Sequence, residues 1–231
     1  MGAEYNAVAG GVTPQPPPLF SGIPSAEYQR IYSVARKREF ARGERLFIEG
    51  DAVEHVVLLT AGFAKVTQLG TSGSQVILRF GTPGDVLGVD NLFSGGVHCR
   101  TAEAFRVCEA LVWDARSFKN LVDRWPVLNL NMARLAEEEL FELEERFREV
   151  ATERVAPRVA RQLLRLMEKI GHSVGGEIEV CLSREELAQM TGTTLFTVSR
   201  LLSAWELRGI VRPRREGVTI CDVPPLRSLS E

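Results

Sequence analysis

Residues 182–209 read LSREELAQMTGTTLFTVSRLLSAWELRG, and their pattern decides the fold. Ser183 with Glu186 three residues on is a capping-box signature, so a helix is expected to begin there and run to Met190. Thr191-Gly192-Thr193 interrupts it, and a second helix is expected from Thr194 to about Leu207. Two helices joined by a short turn holding a glycine make a helix-turn-helix. The small Ala188 suits the point where the helices cross, and Leu187, Val198, Leu201 and Leu202 supply the apolar contacts between them. The second helix then presents Thr194, Leu195, Phe196, Thr197, Ser199 and Arg200. N-terminal residues of such a helix reach base edges in the major groove. Arg200 suits bidentate contact with guanine O6 and N7. Thr193, Thr197 and Ser199 can hold phosphates or bases, and Arg208 a phosphate.

Downstream, 210–215 and 218–221 read as short strands around Glu216-Gly217, a hairpin wing whose Arg212, Arg214 and Arg215 are placed to touch a DNA backbone. Upstream lie a short strand at 177–182, a loop at 171–176 and a helix at 155–170, after a polar joint at 151–154. Before the joint, Leu128, Met132, Ala136, Leu140, Leu143, Phe147 and Val150 recur every three or four residues, a narrow apolar seam on a long helix that can take Pro126 in its first turn. Glutamates 137, 138, 139, 142, 144, 145 and 149 fill the remainder. Such a seam fits a surface helix packed on its own domain or a symmetric two-helix dimer interface; its length and charged surroundings favour the dimer.

Between residues 39 and 114 the texture is β-prone, with runs at 54–60, 63–69, 75–80 and 110–113 punctuated by glycines, the pattern of a sandwich or barrel-like roll. Residues 25–38 read as a short helix with Ser25 as N-cap and Ile31, Val34 and Ala35 on one face. Residues 1–19, rich in Gly and Ala and ending in a proline run, are expected to be a flexible arm.

Composition narrows the function. Hydrophobic residues make up 45% and charged residues 25% of 231, ordinary for a globular protein. No apolar run approaches the roughly 20 residues of a membrane span, and no basic segment followed by an apolar one opens the chain. The four cysteines, Cys99, Cys108, Cys181 and Cys221, form no CxxC pair, which points to reduced thiols in the cytoplasm. The net charge is −2, but residues 1–150 carry −4 and 151–231 carry +2, so positive charge collects where the helix-turn-helix lies. No nucleophile–base pair, metal constellation or phosphate-cradling loop is present, which argues against an enzyme.

The chain resembles the cyclic-AMP receptor / fumarate–nitrate regulator (CRP/FNR) family over about residues 40–223. The resemblance rests on Phe47-Ile48-Glu49-Gly50-Asp51, Gly84-Asp85-Val86-Leu87-Gly88, Arg100-Thr101-Ala102, and the run from Leu182-Ser183-Arg184-Glu185-Glu186-Leu187-Ala188 to Thr197-Val198-Ser199-Arg200. It implies an α+β protein: an N-terminal double-stranded β-helix (jelly-roll-like) effector domain at 20–124, a long dimerisation helix at 125–152 and a C-terminal winged helix-turn-helix at 153–231. It also implies a homodimer that binds operator DNA and meets RNA polymerase. Where many members place Arg-Glu in the recognition helix, this chain has Leu195-Phe196, which cannot hydrogen bond but can pack on thymine methyls.

The effector is less legible. Members that bind cyclic AMP hold its sugar and phosphate with a cassette like Gly-Glu-Leu…Arg-Ser-Ala; here the cassette is Gly88-Val89-Asp90…Arg100-Thr101-Ala102. Arg100, the Thr101 hydroxyl and the backbone near Gly88 suit a cyclic phosphate, but Val89 cannot accept from a ribose hydroxyl. The resemblance places Leu143 and Glu144 where a cyclic-AMP receptor turns hydroxyl side chains to the adenine. Each lost partner costs roughly 1–3 kcal/mol in a buried site, so the expected effector is not ordinary cyclic AMP. Cyclic AMP with altered contacts, a haem or thiol sensor using His55, His98, Cys99 or Cys108, and a regulator needing no ligand stay open. With Cys99 the first cysteine, an iron–sulfur cluster is not expected. Arg100 also suits an ion pair with one of the glutamates.

Overall fold

The computed structural model describes residues 16–71 and 73–231. Most of the expected arm lies outside the described residues, but its end is packed. A 3₁₀ turn at Pro18–Phe20 buries Leu19 and Phe20 against Trp113 and Phe118, so the apolar pair after the prolines belongs to the core.

Helix α1 covers Ser25–Ser33. Ser25 is its first residue and Pro24 occupies the cap position without a side-chain bond, contrary to the expected Ser25 cap. Nor does the helix reach residue 38. Arg36–Phe40 forms strand β1, paired antiparallel with Cys108–Asp114 over five residues. A run of Arg-Lys-Arg-Glu has no apolar face for either periodicity to reveal, and the partner strand settles it.

The roll continues with β2 (Arg45–Phe47), β3 (His55–Ala61), β4 (Ala64–Leu69), β5 (Gln75–Gly81), β6 (Val86–Leu87), β7 (Thr101–Ala104) and β8 (Cys108–Asp114). These form two four-stranded sheets, ordered β1-β8-β3-β6 and β2-β7-β4-β5. Val57, Leu59, Val66, Leu87, Ala102 and Ala104 fill the space between them. Gly62 turns β3 into β4 at φ +72°, and a Cβ there would lie 2.2 Å from the Val107 carbonyl oxygen, so no other residue fits.

Asp114 caps a helix that the sequence reading leaves unassigned, α2 (Ala115–Arg124), by accepting from the Ser117 N–H at 2.9 Å. Helix α3 follows over Val127–Thr152. Its first turns belong to the roll: Leu128 is fully buried there, Met132 packs beside it, and buried Asn131 donates to the carbonyls of Leu19 (2.8 Å) and Ser21 (2.7 Å). Leu128 is therefore a core residue, not part of an open seam. Further along, Leu140 (55% exposed), Leu143 and Phe147 (74%) stand uncovered, as do Ala136 and Val150. Leu130 and Phe141 widen this face about a quarter turn to one side of Leu140.

Helix α4 (Val155–Ile170) leads into a second unit. The expected loop at 171–176 is a hairpin instead: β9 (His172–Val174) pairs with β10 (Glu177–Val180). Helices α5 (Arg184–Thr191) and α6 (Leu195–Leu207) follow, then β11 (Val211–Arg214), β12 (Gly217–Ile220) and α7 (Val223–Ser228). The sheet β11-β12-β10-β9 backs a core of Val159, Leu163, Leu166, Leu187, Val198, Leu202 and Trp205. Among the described residues no helix is long and apolar enough to cross a membrane.

Candidate nucleic-acid interface and effector region

The two helices of the turn are fixed by local chemistry. The Ser183 Oγ accepts from the Glu186 N–H at 3.1 Å and the Glu186 carboxylate accepts from the Ser183 N–H at 3.0 Å, closing the capping box. Gly192 ends α5 in the left-handed region at φ +59°, where its N–H reaches the Ala188 carbonyl. Thr194 caps α6 by accepting from the Thr197 N–H at 3.2 Å. Leu187, Ala188, Val198 and Leu202 are buried as their spacing predicts, and Leu201 is partly so.

The opposite side of α6 is open. Thr194, Leu195, Phe196 and Arg200 are exposed, and Thr193, Thr197 and Ser199 are half-buried around them. In the wing, Arg214 and Arg215 are exposed. Arg212 differs from expectation, since its guanidinium donates to both oxygens of Glu177 at 2.7 and 3.1 Å. That pair holds β11 near the start of β10, and Glu177 lies too far back in the sequence for spacing to reveal it.

Three basic side chains that sequence reasoning missed connect this unit to the rest. Lys65 of β4 donates to the capping-box Glu186 at 3.3 Å. Arg146 of α3, largely buried, donates to the carbonyls of Ile77 (3.1 Å) and Leu78 on β5 and of Met190 (3.2 Å) on α5. Arg158 of α4 donates to Val150 and Glu153 (both 3.1 Å) and to Gly192 in the turn (3.4 Å). Lys65 and Arg146 reach partners 44 to 121 residues away, and Arg158 reaches Gly192 34 residues on, so no local spacing signals these contacts. Glu149, one of the glutamates that fill the remainder of the long helix, is buried and held by Arg161 and Arg165.

Beside α3, the roll leaves a groove of about 800 Å³ between β5, β6 and the helix. Val89, Asp90, Arg100 and Leu143 line it, together with Ala136 and Leu140 of the seam. Gly88, Thr101 and Glu144 do not. Gly88 is packed against the His55 carbonyl, His98 and Phe47. The Thr101 Oγ1 accepts from the Glu49 N–H at 3.0 Å. Glu144 follows Leu143 by about 100° of helical rotation, which turns it into solvent.

Arg100 is not free. It donates to Glu139 of α3 and lies 3.4 Å from Asp90. Arg79 of β5 donates to the same Glu139 oxygen at 3.1 Å and lies 3.5 Å from Asp85. Burial pushes the Glu139 carboxyl up, but the two guanidinium charges and their hydrogen bonds outweigh it, and its pKa falls below the ordinary carboxylate value. Glu139 is three residues after Ala136 and four before Leu143, which places it on the flank of the seam facing the roll.

Of the sensor candidates, His98 is buried and stacks on Phe47 with centroids 4.1 Å apart, and burial depresses its pKa. The Cys108 thiol is buried and pushed up to about 11, which keeps it protonated near neutral pH and unreactive. Cys99 and His55 are exposed. Among the described residues no group of three or more His, Cys, Asp or Glu side chains is placed to hold a metal ion.

Family models match both units: a cyclic nucleotide-binding domain over residues 37–124 and a Crp-like helix-turn-helix domain over residues 157–229. The chain is 28% identical to the cyclic AMP receptor protein of Thermus thermophilus, over 84% of this chain and 88% of that protein. It is 24% identical to the CRP-like cAMP-activated global transcriptional regulator of Mycobacterium tuberculosis, over 88% and 92%. The solved structure of FixK2 from Bradyrhizobium japonicum superposes with a TM-score of 0.73 at 24% identity, covering 86% of this chain and 98% of that one, which supports the fold. With both units present, in this order and joined by α3, the chain belongs to the CRP/FNR family of transcription regulators.

Proposed function

We propose that the protein works as a dimer, paired through the exposed seam of α3, that places α6 of each protomer in the major groove of a dyad-symmetric operator and does not use cyclic AMP as its effector. The base and backbone contacts fall to Thr193, Thr194, Leu195, Phe196, Thr197, Ser199, Arg200 and Arg214, with Arg212 joining only if it leaves Glu177. RNA polymerase is the further partner such a regulator addresses.

The observation that carries the effector reading is the ion-pair cluster at Arg100. A cyclic phosphate binds through an unspent guanidinium, yet here Arg100 and Arg79 face the carboxylates of Glu139, Asp85 and Asp90. Three negative charges against two positive ones repel an anion, and Val89 offers the sugar no acceptor. Taking Glu139 from its partners would leave Arg79 only Asp85, at 3.5 Å, and Arg100 only Asp90, at 3.4 Å, which is costly for half-buried guanidiniums. Two of the relatives are named for cyclic AMP, and this cluster is the argument for setting the present chain apart from them.

Calorimetry of the purified protein with cyclic AMP tests this. No heat is expected at millimolar ligand. Removing the carboxylate that the two arginines share, as Glu139→Gln, turns three negative charges against two positive ones into two against two and is expected to raise affinity for cyclic AMP or inorganic phosphate by at least tenfold, since a charge pair in a half-buried site is worth about 1.4 kcal/mol or more. Micromolar binding by the unaltered protein would overturn the reading.

A further inference from the structure

Helix α6 spends its inner face on Val198, Leu202 and Trp205. Its first turn still leaves two large apolar side chains in solvent, Phe196 at 84% exposure and Leu195 at 42%. The hydroxyls beside them are engaged with each other: Thr194 Oγ1 takes the Thr197 N–H and lies 3.1 Å from Thr197 Oγ1. Apolar surface is therefore what the first turn has free to offer. One turn on, Arg200 stands on the same side, four residues from Phe196 and so about 6 Å further along the axis. Bases rise about 3.4 Å per step, so phenyl and guanidinium address positions about two base pairs apart. Across the major groove every base edge presents donors or acceptors, and only thymine adds an apolar group, its 5-methyl.

We propose that Phe196, flanked by Leu195, reads a pyrimidine 5-methyl group about two base pairs from the guanine addressed by Arg200. The proposal rests on α6 being the helix that enters the major groove. The protein then distinguishes thymine from uracil at that position, and 5-methylcytosine from cytosine, because the distinguishing group is the same methyl. Operator occupancy becomes sensitive to cytosine methylation there.

The test uses the full chain and a duplex recovered by in vitro selection from random sequence. Each symmetric pair of thymines is replaced in turn by deoxyuridine. A buried methyl is worth about fourfold in affinity, so one pair, within about two base pairs of the guanine, is expected to lose about 15-fold over both half-sites. Phe196→Ala, which leaves an exposed position and hence the melting temperature unchanged, is expected to bind the thymine and deoxyuridine duplexes alike. A specific duplex bound equally with either base overturns the methyl reading alone, as does a loss that persists undiminished in Phe196→Ala. Failure to select any specific duplex overturns the groove-binding reading of α6 and this proposal with it.

Discussion

Arg200→Ala lowers affinity for the selected operator by at least about 30-fold, because a bidentate arginine–guanine contact is worth about 1–3 kcal/mol and a dimer loses two of them. The change is expected to fall on specificity. Affinity for random duplex drops only slightly, since exposed Arg214 and Arg215 of the wing are left in place, and the gap between specific and non-specific binding narrows. Arg200→Lys does not restore it, because an ammonium cannot make the paired donor geometry. A labelled-operator titration reads the outcome; unchanged affinity in Arg200→Ala would remove Arg200 from the base-reading set.

The second large effect concerns the seam. Phe147 is 74% exposed in the protomer, so Phe147→Asp leaves the fold of one chain intact. If two α3 helices bury it, the twofold axis counts the loss twice, and at about 1.5–3 kcal/mol for each large apolar side chain the dimer dissociation constant rises by about 10²- to 10⁴-fold. Sedimentation at micromolar concentration should show a dimer for the parent chain and a monomer for the variant, with operator affinity falling to that of a single half-site. A variant that stays dimeric would mean that something other than a second α3 covers this face.

Local chemistry made much of the molecule legible in advance. The capping box at Ser183 and Glu186, the left-handed Gly192 and the 198/202 spacing fix the helix-turn-helix within a few residues, because every signal lies inside the segment it shapes. The β-prone runs located four of the strands for the same reason. What stayed hidden is settled by distant partners. β1 is a strand because β8 offers an edge to it. Leu128 and Leu140 share one periodicity, yet the first is covered by the roll and the second is bare; periodicity names a face and not its partner. The pairing of Arg100 with Glu139 spans 39 residues, and six other glutamates on the same helix are equally suitable by sequence. That pairing is the fact on which the effector question turns.

It also bears on the active state. With Glu139 in place, α6 already stands exposed, and Lys65, Arg146 and Arg158 brace α5 and the turn against β4, β5 and α3. Operator binding is therefore expected without added cyclic nucleotide. A nuclease footprint of the full chain on its selected duplex tests this account most directly. It predicts two protected half-sites related by a dyad, about 34–36 Å apart centre to centre, unchanged when cyclic AMP is added. A single asymmetric site, or protection that forms only with cyclic AMP, would contradict it.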